Sequence, residues 1–267
     1  QRAVFGFMLE GVAVVADNLW AAMQGRKALK VEWDDSGFEH VNTAQLYDRM
    51  KNDLNKEHLN DRSGGDFKNA FAKADKKVEA VYETPYESHS CMEPLNCVAH
   101  VHDDKCEVWG PIQGPDWIQQ DLSMRLGLPI ENVTVNMTFL GGGFGRKAFM
   151  DYPHEAAVIS KEIKAPVQVV WTREDDMTQG PFRPGAVYGC KGGLTKDGGL
   201  TAFQTKMATQ NMDQQGPNAD KLAYNGSTIE GLPKPYLESI PNYSFGDVPT
   251  DSPIPVMWWR SVYASTN

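Results

Sequence analysis

The sequence predicts an α+β fold. Three observations carry this prediction. Short β-branched runs that alternate in polarity are spread along the chain, helical patterns interrupt them without a steady β-α-β rhythm, and the last part becomes a hairpin followed by proline-rich loops. The 267 residues suffice for one large domain or two ordinary ones. Hydrophobic residues make up 41% and charged residues 23%, a globular and not a disordered profile. The formal net charge of −9 argues against a nucleic-acid partner, which wants a basic face. No apolar run approaches the roughly 20 residues needed to span a bilayer, and no signal peptide is visible. The chain starts QRAVFGFML without a methionine and stops at WWRSVYASTN inside what reads as an element. A piece of a longer protein is the expectation.

Residues 11–33 read as a β-α-β-like unit. VAVVA is a short strand, DNLWAAMQGRKAL a helix with Asp17 as N-cap and basic residues at its end, and KVEW a second strand. Residues 34–75 are polar and read as a connector with one or two helices, TAQLYDRMKNDL being one. KVEAVYETPY then alternates as a strand, and CVAHVHDDKCEVWG reads as two strands joined by the turn HDDK. A helix follows at PDWIQQDLSMRLG, closed by Gly127. ENVTVNMTFL is a strand, a helix covers roughly 153–163 with Asp151 as its N-cap, and VQVVW is a strand. CKGGLTKDGGLTAFQTKMATQN reads as a hairpin with a KDGG turn. The expected division is the end of a small α/β domain over 1–33, a connector over 34–75 and a larger domain over 76–267.

The cysteines Cys91, Cys97, Cys106 and Cys190 are irregularly spaced and form no C-x-x-C pair. Zinc and iron–sulfur sites want paired short spacings, so buried free thiols are expected and no protein side chain is expected to ligate a metal.

The stretch FLGGGFGRKAF, residues 139–149, is the most unusual in the chain. Gly141, Gly142, Gly143 and Gly145 crowd into one turn. A P-loop needs Gly-Lys-Ser/Thr at its end, and this loop ends Gly145-Arg146-Lys147-Ala148. GFGRKA fits the dinucleotide pattern G-x-G-x-x-A, which would make the protein an NAD-dependent dehydrogenase. The pattern is weakened because the helix opens near Pro153, beyond reach of a phosphate on the glycines. Other readings are a tight turn packed on protein backbone in a non-catalytic interaction domain, or close approach of a bulky polar ligand to exposed N–H groups. Arg146 and Lys147 are then either phosphate partners or solvated cations.

The loop and its surroundings resemble the molybdenum-binding subunit of the xanthine dehydrogenase/aldehyde oxidase family, with the branch of the isoquinoline 1-oxidoreductase β subunit the most similar. The resemblance is carried by residues 12–33, by VYETPYESHSCMEPLNCVAHV with its H-x-x-MEP pattern, by 108–147, by VQVVWTREDDMTQGPFRPGA and by PVMWWRSVYAS. It implies the first part of a molybdopterin-binding domain of the aldehyde oxidase/xanthine dehydrogenase type, preceded by the end of a small α/β domain. It also implies hydroxylation of an aldehyde or an electron-poor N-heteroaromatic carbon, with water as the oxygen source. The implied cofactor is molybdenum–molybdopterin in its cytosine dinucleotide form. Iron–sulfur clusters are implied only in a partner, a small [2Fe-2S] subunit. Gln113 matches the glutamine that bonds an oxygen ligand of molybdenum. Gly142, Gly143, Phe144 and Gly145 match the loop lying against metal and pterin, with Phe144 walling the substrate pocket. Arg260 matches an arginine that positions substrate or cofactor. Xanthine-oxidising members carry a glutamate where this chain has Ala148, so purines are not the expected substrates. The family's catalytic base, a glutamate, is expected beyond Asn267, with Glu93 anchoring a turn and Glu155 capping a helix. The resemblance is compatible with a periplasmic or a cytoplasmic location.

Overall fold

The computed structural model describes residues 11–39, 41–57, 59–210, 231, 234–250 and 252–261. Helix α1 spans Leu19–Ala28, with Asn18, not Asp17, as its N-cap. Next come α2, Thr43–Asp53, strand β1, Leu59–Gly64, and α3, Phe67–Lys73. Strands β2, Lys76–Thr84, β3, Asn96–His102, and β4, Lys105–Gly110, precede α4, Pro115–Leu126. β5, Val133–Met137, α5, Asp151–Ile163, and β6, Val167–Val170, follow. The chain continues through α6, Arg173–Thr178, β7, Ala186–Leu194, β8, Leu200–Thr209, α7, Lys234–Glu238, and β9, Tyr243–Pro249.

The strands form two sheets, one ordered β1-β9-β8-β7-β2 and the other β5-β4-β3-β6. In the smaller sheet β3 and β4 form an antiparallel hairpin, while β5 adds to β4 in parallel. Alternation places Cys97, Ala99, Val101, Cys106 and Val108 on one face, where all are buried. That face receives Ile118, Leu122 and Leu126 of α4 and Tyr152, Ala156 and Ala157 of α5 in the main core. α4 recurs at a helical spacing of four, starts on Pro115 and ends on Gly127 at φ 70°.

Two further sequence expectations are corrected. Residues 34–75 are no mere connector. β1 pairs with β9, and Tyr47 and Met50 of α2 pack with Val187, Ala208 and Val248 on the larger sheet. α2 is amphipathic, and a helix with an apolar stripe gains stability only by burying it. The strands expected at VAVVA and KVEW do not form: the described residues flanking α1 are irregular. Neither run finds a neighbouring strand among the described residues, and an isolated strand leaves its backbone groups unpaired. α1 buries none of its residues and is tied down by Arg26, whose guanidinium donates to Asp175 at 2.6 and 2.5 Å. The cysteines match their expectation in part. All are free; Cys91, Cys97 and Cys106 are buried, and Cys190 is partly exposed.

Candidate functional site

The glycine loop leaves the end of β5 and reaches α5 through a short turn over Arg146–Ala148. Gly142 at φ 94° and Gly145 at φ 98° adopt the left-handed region, and Phe144 joins them at φ 51°. Glycine reaches such angles without a Cβ penalty; phenylalanine does so only where its surroundings hold it. Three segments hold this loop. From the β2–β3 connection, Glu93 accepts from Gly141 N–H at 2.8 Å and from Lys147 Nζ at 2.6 Å. From the β4–α4 connection, Gln113 Oε1 accepts from Gly145 N–H at 3.0 Å, and Gln113 N–H donates to the Lys147 carbonyl at 2.9 Å. From the final described segment, Arg260 N–H donates to the Phe144 carbonyl at 2.9 Å.

Arg146 and Lys147 are neither phosphate partners nor solvated cations. They are 1% and 0% exposed. Arg146 donates to both carboxylate oxygens of Asp151, at 2.9 and 2.6 Å, and to the Gly180 carbonyl at 3.2 Å. Burial works against its charge, and Asp151 outweighs that and raises its pKa. Burial likewise opposes the charge on Glu93, but hydrogen bonds from Lys147, Gly141 and Asn96 hold its carboxyl below the usual range. Neither cation is left for a phosphate of a bulky ligand, and the helix that the dinucleotide reading needs begins only at Asp151, which is the first helical residue and not the N-cap.

The glycines also face protein atoms. A Cβ on Gly141 would lie 2.5 Å from Glu93 Cβ, one on Gly143 would lie 2.3 Å from Gln113 Oε1, and one on Gly145 would lie 2.6 Å from the Trp258 carbonyl. The loop is packed on three neighbours before any ligand is considered. One surface remains for a ligand. Among the described residues, the N–H groups of Gly142, Gly143 and Phe144 have no acceptor. Gln113 spends its carbonyl on Gly145, and its NH₂ has no acceptor among the described residues. Gly143 is buried, and a buried N–H without a partner is costly. Successive backbone donors beside an amide donor suit anionic oxygen or sulfur, which fits the donor set of a molybdenum–dithiolene group.

Gln113, Gly142, Gly143, Phe144, Gly145 and the backbone of Arg260 therefore meet at one place. Phe144 is 39% exposed and so can line a pocket. The side chain of Arg260 is exposed and finds no charged partner among the described residues. Glu155 lies inside α5 and does not cap it, since the helix already begins at Asp151. It accepts from Trp171 Nε1 at 2.8 Å, and burial pushes its carboxyl up to about 7.

Sequence reasoning assigned no role to His89. It is 3% exposed, and its Nε2 lies 2.6 Å from the Trp258 carbonyl. A carbonyl only accepts, so Nε2 carries the proton and the buried Nδ1 is left without a donor. Burial drives the ring's pKa down to about 4. His89 thus fixes the 256–260 segment that carries Arg260. The H-x-x-MEP pattern was its only signal.

Comparison with known proteins identifies the family. A family model described as "Molybdopterin cofactor-binding domain" matches residues 49–243. The molybdenum-binding subunit PaoC of an aldehyde oxidoreductase from Escherichia coli K12 is 32% identical over 172 residues, covering 62% of this chain and 24% of that protein. The isoquinoline 1-oxidoreductase β subunit of Brevundimonas diminuta is 29% identical over 189 residues, covering 65% of this chain and 23% of that one. Identity to the aldehyde-oxidising relative is thus no lower than to the heterocycle-oxidising one. The chain spans about a quarter of the length of these relatives, as the 24% and 23% coverage shows. Among solved structures, quinoline 2-oxidoreductase from Pseudomonas putida 86 has the same fold, with a TM-score of 0.59 at 18% identity over 80% of this chain and 29% of that one. Aldehyde oxidoreductase from Desulfovibrio gigas gives 0.55 at 20% identity, over 76% and 22%. The chain belongs to the molybdopterin cofactor-binding domain family, in the group of molybdenum-binding subunits typified by xanthine dehydrogenase and aldehyde oxidase.

Proposed function

We propose that this chain forms part of the cofactor site of a molybdenum hydroxylase that oxidises an aldehyde or an N-heteroaromatic carbon, taking oxygen from water. The observation that carries the reading is the run of N–H donors at Gly142, Gly143 and Phe144 without acceptors among the described residues, on the loop that Gln113 holds through Gly145. When bound, a molybdenum–pterin cofactor supplies the two-electron redox centre. The residues of this chain supply orientation and charge stabilisation. Gln113 is locked by Gly145 so that it can donate but not compete as a ligand. The loop donors offer fixed dipoles that need no rearrangement during reaction. Phe144, exposed and left-handed, forms an apolar wall that orients a flat substrate. Ala148 offers no carboxylate for a purine, which supports aldehydes and simpler heterocycles.

The family resemblance supports the finer assignments: the cytosine dinucleotide form of the cofactor and a small [2Fe-2S] subunit as electron acceptor. Arg260 positions substrate or cofactor from the segment that His89 anchors. The test is turnover of an aromatic aldehyde and of isoquinoline by the full-length protein with its partner, in water enriched in heavy oxygen. Label from water in the product is expected. Unlabelled product, or no turnover of either class by molybdenum-loaded enzyme, would overturn the reading.

A further inference from the structure

The second face of the small sheet carries an assembly that the cofactor site does not use. His100 and His102 are two residues apart on β3 and so point to the same side, away from the core. Glu107 on β4 stands directly opposite His100 in register and diagonal to His102. One ligand atom from each of the three residues lies within 4.8 Å of the others. The two imidazoles lie side by side with ring centroids 4.4 Å apart. His102 Nε2 is 3.4 Å from Glu107 Oε2.

We propose that His100, His102 and Glu107 form a divalent transition-metal site whose preferred ion is Zn²⁺. Two neutral imidazoles and one carboxylate are a donor set of borderline softness, which suits zinc over magnesium or calcium. At zinc–ligand distances of about 2.0–2.2 Å, tetrahedral ligands stand roughly 3.3 Å apart. The His102–Glu107 pair is at that spacing already, and His100 reaches it by a side-chain rotation on a half-exposed sheet face. A further carboxylate supports the assignment. Asp103 Oδ2 lies 3.6 Å from His102 Nδ1, on the side of the ring away from Glu107. A carboxylate there favours the Nδ1–H tautomer and leaves the Nε2 lone pair for the metal. Water completes the fourth position. Such an ion would clip β3 to β4 beside their turn. The cysteine pattern gives no sign of it; the alternation His-Val-His opposite a glutamate does.

The test is titration of the chelator-treated full-length protein with Zn²⁺, and with Co²⁺ as a spectroscopic substitute. About one equivalent bound with tetrahedral Co²⁺ absorption is expected. His100→Gln and His102→Gln should each weaken binding by about 100-fold, and Asp103→Asn by about tenfold, with circular dichroism unchanged. Asp103 is 92% exposed, so its substitution does not threaten the fold. Failure of the wild-type protein to bind either ion, or equal affinity in wild type and His102→Gln, would overturn the site. Both results are independent of the molybdenum reading.

Discussion

Asp151→Ala removes the acid that neutralises Arg146. The guanidinium is 1% exposed and makes two short bonds to the carboxylate, at 2.9 and 2.6 Å. In the variant it keeps the Gly180 carbonyl at 3.2 Å and the ring faces of Phe149 and Trp171 at 5.7 and 5.3 Å. Stripping one partner from a buried pair costs about 3–5 kcal/mol, because the remaining charge is uncompensated. Asp176 still attracts Arg146 from α6, which favours the lower half, about 3–4 kcal/mol. The melting temperature should fall with it. The assay is calorimetry and urea unfolding of the full-length protein. Arg146→Met/Asp151→Leu should recover most of the loss, since the pair need not be more stable than apolar packing. A loss below about 1 kcal/mol in the single variant would refute the reasoning. Arg146 would then be hydrated, and available to an anion as a phosphate partner must be.

Gln113→Ala removes one positioned amide donor, so kcat should fall by about 100-fold while molybdenum is retained; steady-state kinetics with metal analysis checks this. His89 is held near pKa 4, below its ordinary 6.5, so the unfolded chain binds its proton more readily in that window. Its contribution to stability is complete above about pH 6.5 and falls by on the order of 3 kcal/mol as pH drops through about 4. Glu155 works in the opposite direction, because its carboxyl is raised from 4.5 to about 7 and its contribution is lost as pH rises through that value. Unfolding curves of His89→Gln against wild type should isolate the histidine slope; identical pH profiles would count against a buried neutral ring. Burial pushes the Cys97 thiol up to about 12 and Cys106 up to about 11. Iodoacetamide at mildly alkaline pH should leave both unmodified in the native protein, as read by peptide mass spectrometry.

Local pattern made much of the fold legible. The HDDK turn, the Gly127 cap and the KDGG hairpin each depend on a few adjacent residues, and all three are present. Pattern could not say what a segment packs against. VAVVA has the composition of a strand, but composition does not supply a neighbour. TAQLYDRMKND reads as a polar helix, yet Tyr47 and Met50 complete a core with residues far along the chain. The same limit applies at the site. The glycine loop stood out because its spacing is local. The fate of its cations did not, since Lys147 is neutralised by Glu93, 54 residues away. Two adjacent cations after glycines look like an anion site until their partners are known. His89 was hidden for the same reason, its partner being the Trp258 backbone 169 residues on.

That the loop at 141–145 cradles a molybdenum–pterin group is tested most directly by molybdenum per chain. The measurement is elemental analysis of the full-length protein, produced with its partner subunit in a molybdenum-competent host. Wild type should hold about one atom per chain. Gly143→Val should fold and yet lose most of it, because the added side chain, whose Cβ would sit 2.3 Å from Gln113 Oε1, would fill the loop surface on which the N–H donors of Gly142, Gly143 and Phe144 meet the ligand. Folded wild-type protein with almost no molybdenum, or a Gly143→Val protein with undiminished content, would contradict the account.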